Sequence, residues 1–449
     1  MNQNCKYKKL GWKLLPFAVI IFLFPHAVSA QIQQGDSLLK EVTLKNAVEY
    51  AIRHQPVIQQ SLLDEQITDS RIRSRLADWY PQVNFNYNVQ HNFLLQKSLI
   101  AGNLVTLGQD NTSAGQFTAS QYIFNRDLLL AKRTKTDVRL QARQSTASDK
   151  IELVVDVSKA FYDILSTSQQ IKVAAENITR IERSLKDAYN QYAAGVADKT
   201  DYKRATITLN NSKATLRSNE ELLKAKKEYL KALMNYPESD SLDIVYDTLQ
   251  MEQEVGLDTT QVPDYKSRIE YQILETQARL LQANVQYYKW AYLPTLSVNG
   301  AYNLNFQNND FGKLYNTNYP NSFVALTLGF PIFQGGKRKA NIYEAQLELK
   351  RNDWGITGFK NTVNYGYAQA LATYKGNLAN YFALKENVAL AREVYDVIQL
   401  QYRSGIKSYL EVITSETDLR TAQINYYTAI YQLLASKLDV QKAAGLIKY

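Results

Sequence analysis

From Asn125 to Tyr192 the chain runs for 68 residues without a glycine or a proline. Within that run Ile151, Val154, Val155, Ser158, Phe161, Tyr162 and Leu165 recur at helical spacing. One helix of this length would be about 100 Å long at 1.5 Å per residue, far longer than a globular core requires. Residues 196–236 again lack both breakers, until Pro237, and the second half reads as helical from about Lys337 to Tyr402 and from Tyr409 to Ala444. The two pairs of long helices meet at Gly195 and Gly405. They are expected to be antiparallel hairpins with coiled-coil-like packing. Gly355, Gly358, Gly366 and Gly376 interrupt the second long helix and are read as tolerated rather than as a bend.

The chain also repeats itself. Tyr80-Pro81-Gln82-Val83 returns as Leu293-Pro294-Thr295-Leu296, Ile123-Phe124 as Ile332-Phe333, and Tyr192-Ala193-Ala194-Gly195-Val196 as Tyr402-Arg403-Ser404-Gly405-Ile406. The offsets are 213, 209 and 210 residues, so a unit of about 200 residues is duplicated. Repeat one is expected at about 43–237, a linker at 238–263 and repeat two at about 264–445. Each carries helix, strand, strand, long helix, helix.

The strands have period two. Val83, Phe85, Tyr87 and Val89 alternate with Gln82, Asn84, Asn86 and Asn88. Leu296, Val298, Tyr302, Leu304 and Phe306 alternate with Ser297, Asn299, Asn303 and Asn305, and Val324, Leu326, Leu328 and Phe330 with Ala325, Thr327 and Gly329. Residues 115–124 follow the pattern more weakly, through Phe117 and Ala119. One face is apolar and the other polar. A soluble sheet would place the apolar face on a core, and a membrane barrel would place it on lipid.

The N-terminus and the Asn-rich connections, Asn308-Asn309-Asp310 and Asn316 to Asn321, favour the barrel. Lys6, Lys8, Lys9 and Lys13 precede an apolar run from Leu14 to Phe24, and Val28 and Ala30 fit a signal-peptidase site before Gln31. Residues 1–30 are therefore read as a signal peptide, leaving 31–449 as one elongated subunit. No later stretch approaches 18 apolar residues, so membrane insertion must be by β-structure. Four strands cannot close a barrel; eight from a dimer or twelve from a trimer can. The expected fold is mainly α with a small β-barrel part: a homo-oligomeric tube with a short β-barrel in the membrane and a long α-helical barrel below it.

Composition narrows the function. The excess of 52 Lys and Arg over 43 Asp and Glu is +9. Four of those charges are the lysines named above, so nucleic-acid binding is not indicated. Cys5 is the only cysteine, and beyond the signal only His54 and His91 remain, which excludes a disulfide framework, thiol catalysis and a Cys/His zinc site. Gly335-Gly336-Lys337 lacks P-loop spacing. No enzyme, cofactor or metal is expected. The 32 tyrosines, against 15 Phe and 4 Trp, are the anomaly. Tyr87, Tyr292, Tyr302, Tyr315 and Tyr319 flank the strands as an interfacial girdle would. Tyr365, Tyr367, Tyr374, Tyr381, Tyr395, Tyr426, Tyr427 and Tyr431 are expected between helices with their hydroxyls reaching water.

Several short motifs together resemble the TolC-like outer-membrane efflux proteins, the outer-membrane factors of tripartite efflux and type I secretion systems. They are Asn46-Ala47-Val48-Glu49-Tyr50-Ala51 with Pro56, the strand starts Tyr80-Pro81 and Leu293-Pro294, the turn Pro331-Ile332-Phe333-Gln334-Gly335-Gly336, and Tyr402 to Val412 with its partner Gly195 to Asp201. The resemblance implies a homotrimer with a twelve-stranded barrel in outer-membrane lipid. It also implies a periplasmic membrane-fusion adaptor and an inner-membrane pump as partners, and an exit duct for small toxic molecules. A type I protein secretion channel, a metal-ion efflux channel and a periplasmic coiled-coil scaffold are the alternatives.

The resemblance further implies a periplasmic gate at Tyr402, Lys407, Glu411 and Asp201, with Asp201 pairing the basic residue. The adaptor-docking tip would be Gly195, Val196, Thr200, Gly405, Ile406 and Ser408. The second acidic ring position of the family falls on Thr414, a departure. Threefold symmetry would make Glu411 a ring of three carboxylates that favours cations and raises its own pKa.

Overall fold

The computed structural model describes residues 41–245, 248–259 and 264–449. The signal segment with its cleavage site at Ala30–Gln31 lies outside them. Helix α1 (Leu44–His54) starts at Thr43, whose hydroxyl and the Asn46 side chain cap each other's backbone amides. Helix α2 (Pro56–Ala77) leads into strand β1 (Gln82–His91). After a hairpin of β2 (Gln96–Ile100) and β3 (Asn103–Leu107), β4 (Asn111–Phe124) returns. Helix α3 (Arg126–Ala193) is 68 residues long and α4 (Lys199–Met234) runs back beside it. Repeat two follows the same order: α6 (Ile269–Lys289), β5 (Thr295–Asn308), β6 (Asn321–Gly329), α7 (Lys337–Arg403) and α8 (Tyr409–Ala444), with α5 (Thr248–Glu254) in the linker.

The boundaries of the long helices match the breaker pattern because each end carries its own signal. Asn125 caps α3 by accepting the Asp127 amide at 2.7 Å. Gly445 ends α8 with φ +73. The buried positions of α3 then show why so long a helix holds. Leu153, Ala160, Thr167, Ala174, Ile181 and Ala188 are spaced by seven, and Val157, Ile164 and Ile178 fall between them on a second such row. In α8, Val412, Leu419, Tyr426, Leu433 and Val440 are likewise spaced by seven. This is the a/d spacing of a left-handed coiled coil. The core is therefore a seam running along the helices. Gly355, Gly358, Gly366 and Gly376 each have nothing within 4 Å of a built Cβ, in keeping with simple tolerance inside the subunit.

Four strands form one antiparallel sheet in the order β1-β4-β5-β6. The register pairs Val83 with Ala119, Phe85 with Phe117, Phe117 with Tyr302, and Val298 with Leu326. All the apolar members of the alternation thus share one face, and the Asn, Gln and Thr residues share the other, except Gln121, which pairs with Val298 on the apolar face. No element of the described subunit covers the apolar face: Val83 is 69% exposed, Leu326 67% and Leu328 66%. The edge strands β1 and β6 are unpaired on their outer sides among the described residues.

The β2–β3 hairpin is an addition to the expected plan. Its two-residue turn, Ala101-Gly102, has both φ values positive (51° and 82°). Such a turn usually announces itself as Asn-Gly or Asp-Gly, and the alanine hides it.

The linker is a strap rather than a spacer. Val42 pairs with Ile244 in a parallel bridge. Glu252 accepts the Tyr426 hydroxyl at 2.6 Å and Lys385 at 2.7 Å. Tyr374 donates to the Val255 carbonyl at 2.7 Å, and Tyr162 to Glu254 at 3.0 Å. The hydroxyls of Tyr374 and Tyr426 therefore bind the strap rather than water, which corrects the expectation for these two. Four buried tyrosines of α7 (Tyr374, Tyr381, Tyr395 and Tyr402) sit on one seven-residue register, so part of the tyrosine excess is seam packing.

A Cβ at Gly445 would lie 2.7 Å from Ser267 Oγ and 3.3 Å from the Arg268 backbone nitrogen. Gly445→Ala should therefore lower the thermal unfolding midpoint by more than Gly335→Ala. Gly335 also has positive φ but open space around it, so only backbone strain of about 1 kcal/mol applies there. Circular dichroism melting of both variants checks this.

Candidate functional site: the hairpin tips

The two helical turns at the ends of the hairpins are built bond for bond alike. In repeat one the amides of Ala194, Gly195 and Val196 donate to the carbonyls of Asn190, Tyr192 and Gln191. In repeat two those of Ser404, Gly405 and Ile406 donate to Leu400, Tyr402 and Gln401. Gly195 and Gly405 take φ +70 and +75, a left-handed conformation that ends a helix cheaply only at glycine. The next helix is then capped by Asp198, which accepts the Thr200 amide at 2.7 Å, or by Ser408. The turns present Val196 (79% exposed) and Ile406 (72% exposed) at their apices.

Glu411 is the third residue of α8 and completes a capping box. Its Oε2 accepts the Ser408 amide at 2.9 Å and the Ser408 hydroxyl at 3.0 Å, while Oε1 receives Lys407 Nζ at 2.6 Å. Lys407, followed by the Ser408 amide and hydroxyl, holds this carboxyl down at about 2. The cap and the lysine of the subunit itself set this direction, whereas a ring of three carboxylates would act in the opposite sense. The lysine link also runs along α8 to Glu411 in the subunit, rather than across to Asp201. Asp201 occupies the matching third position of α4.

Tyr402 is placed differently from a residue facing an open axis. It is 6% exposed and lies in a cluster with Ala188, Ala205, Tyr409 and Val412, between the two hairpins. Its hydroxyl donates to Gln191 Oε1 at 3.0 Å. Burial, then the charges of Asp201 and Asp187, push its phenol up. It therefore ties hairpin two to hairpin one. Thr414 is exposed and returns its hydroxyl to the Leu410 carbonyl at 2.9 Å. On the same face, two turns past Glu411, stands exposed Asp418. Its spacing of seven from Glu411 is a signal that sequence reasoning missed.

A second polar group lies deeper along the seam, where the pattern calls for an apolar residue. Glu416 is 3% exposed, and its Oε1 is 3.6 Å from Arg180 Nε of α3. Arg180 also approaches Glu176 at 3.9 Å and sits over the Tyr395 ring at 5.9 Å. Glu416 Oε1 and Arg180 Nε and Nη2 have no protein hydrogen-bond partner. Burial pushes the Glu416 carboxyl up to about 7, against the opposing pull of Arg180 and Arg420.

A carboxyl that binds its proton more tightly when folded stabilises the fold fully below its unfolded pKa. That contribution fades as pH rises through the folded value. The stability of Glu416→Gln relative to wild type should therefore improve by about 3 kcal/mol between pH 4 and pH 8. Paired denaturant unfolding at the two pH values reads this directly, and a difference that does not change with pH would contradict it.

A family model described as outer membrane efflux protein matches residues 47–236 and 271–446. Outer membrane protein OprJ of Pseudomonas aeruginosa is 21% identical over 421 residues, covering 91% of this chain and 85% of its own. Outer membrane protein TolC of Escherichia coli is 19% identical over 448 residues, covering 95% and 86%. A crystal structure of CusC, described in terms of folding and transmembrane channel formation, superposes with a TM-score of 0.74 at 17% identity, covering 90% of this chain and 92% of that one.

Proposed function

The chain belongs to the outer membrane efflux protein family, and on that premise we propose that three copies form a passive exit duct for small molecules. The observation that carries this reading is the sheet: its apolar face lies uncovered and both its edges are open. In water such a sheet would aggregate. Lipid on one side and sister sheets on the other satisfy it, and three four-stranded sheets give a twelve-stranded barrel with the Asn-rich face lining a wet lumen. The signal segment delivers the chain across the inner membrane, and the roughly 100 Å of α3 extends from the outer membrane into the periplasm.

The tips are the gate and the docking site in this reading. Glu411 stays ionised through the physiological range, so three copies around the axis make a permanent acidic ring, with Asp418 supplying a second ring in place of Thr414. Lys407 is a half-buried tether through a single ion pair near the surface, weak enough to yield to a partner. Exposed Val196 and Ile406, with Gly195, Thr200, Gly405 and Ser408, offer the small apolar apices on which a periplasmic adaptor can seat. An inner-membrane transporter then supplies the cargo. The gate role of Asp201 and Tyr402 is supported by the pull of the Asp201 charge on the Tyr402 phenol at the hairpin interface.

Asp201→Ala combined with Lys407→Ala should raise single-channel conductance in planar bilayers several-fold; unchanged conductance would remove these residues from the gate. Cross-linking in cells from Ser408→Cys should capture a periplasmic adaptor. Release of the chain from membranes by carbonate would instead favour a scaffold.

A further inference from the structure

Where the sheet meets the helices, a cavity of about 520 Å³ opens between the ends of β5 and β6 and the starts of α3 and α7. Three cationic side chains line it: Arg126, Lys337 and Arg338. Its other polar walls are neutral, among them Thr295, Gln334 and Asn341, and no carboxylate belongs to the lining. Like charges gathered without a counter-charge repel one another, and an arrangement of this kind is stable where an anion completes it.

Two of the cations are oriented by aromatic neighbours, and beside Arg126 the Asp127 carboxylate, outside the lining, interacts with the Tyr287 hydroxyl. Arg126 lies 4.4 Å from the centroid of the Tyr287 ring, and Arg338 lies 4.9 Å from that of Tyr292. Arg338 Nε also donates to Gln334 Oε1 at 3.1 Å, and its terminal nitrogen to the Pro331 carbonyl. Stacking on an aromatic face orients a guanidinium while keeping its remaining donors free to take an oxyanion.

The register places two lining residues, Thr295 and Gly329, on one face of the sheet, while Phe330 of the apolar row also borders the cavity. Thr295 pairs with Gly329, and both line the cavity. Two residues further on, Ser297 pairs with Thr327, and then Asn299 with Ala325. Thr295 and Gly329 therefore belong to the polar face of the sheet, opposite Leu296 and Leu328. A built Cβ on Gly329 would come within 2.8 Å of Thr295 Oγ1, so glycine keeps this wall open.

We infer that the cavity is an oxyanion-binding site on the lumenal side of the duct, taking a phosphate group, free or carried by a larger solute. The inference rests on the channel reading, which puts the polar sheet face on the lumen. It places a cationic collar near the barrel throat, at the opposite end of the long helices from the hairpin tips.

Inorganic phosphate is the probe, with the purified full chain in detergent. Phosphate-31 NMR line broadening should report millimolar binding at constant ionic strength. The Arg126→Gln, Lys337→Gln, Arg338→Gln variant should weaken it at least about tenfold. In planar bilayers, phosphate should reduce wild-type conductance in a concentration-dependent way and leave the variant several-fold less affected. Protease resistance and circular dichroism confirm that the variant is folded, and Arg338→Lys should restore part of the binding. Equal binding by wild type and variant, or none by either, overturns the inference even if the channel conducts. A wild-type chain that binds phosphate but never conducts overturns the channel reading instead. Vesicles of phosphatidylglycerol provide the second arm: competition by that lipid with phosphate for the same residues would identify a membrane headgroup as occupant and overturn the lumenal assignment.

Discussion

Everything in this molecule depends on a side-chain repeat of seven on helices of 3.6 residues per turn. The mismatch makes adjacent helices coil about one another to keep their apolar rows in contact. Because the rows of α3 and α8 persist over several heptads, the helices cannot be shortened or splayed without exposing them. The same seam brings Tyr402 against hairpin one and sets the spacing between the two tips. It is also what makes Glu416 costly: a charged group at a seam position loses water without gaining a full set of hydrogen bonds. A polar residue at such a position can fix helix register at a cost in stability.

The linker explains how two coiled hairpins remain one body. Its carboxylates and carbonyls receive tyrosine hydroxyls from α3, α7 and α8, and a lysine from α7. Tyrosine suits this task because it fills the space between helices with a ring and still reaches a polar partner at its end. Burial and the H-bond to Glu252 raise the Tyr426 phenol, while the Lys385 ammonium and that phenol together lower the Glu252 carboxyl. The strap is thus ionic at its centre and aromatic around it.

Much of this could be read in the sequence. The absence of Gly and Pro placed α3, α4 and α8 to within a few residues, and period-two alternation assigned each strand face as the register later did. The duplication foretold two equivalent tips. What could not be read was local and three-dimensional. Ala101 in a left-handed turn concealed a hairpin. The bonds of Glu252 depend on a linker that has no periodicity of its own. The partner of Lys407 was decided by a capping box four residues along the same helix, which competes with any link to Asp201. Tyr402 was recognised as a tip residue, but its burial follows from the approach of α3, which sequence spacing does not encode.

The central pairing of the sheet has a further consequence. Strands β1 and β4 come from repeat one and β5 and β6 from repeat two, so the β4–β5 ladder joins by hydrogen bonds two repeats that the linker joins covalently. A ring made of six free copies of one repeat would have six equivalent hairpins, each bound by symmetry to move as all the others do. Fusing the repeats breaks that equivalence. Hairpin one keeps a plain aspartate cap at Asp198, while hairpin two carries the Lys407–Glu411 tether and the buried carboxyl of Glu416. Duplication followed by divergence leaves the two hairpins alike in backbone and different in the charges they carry.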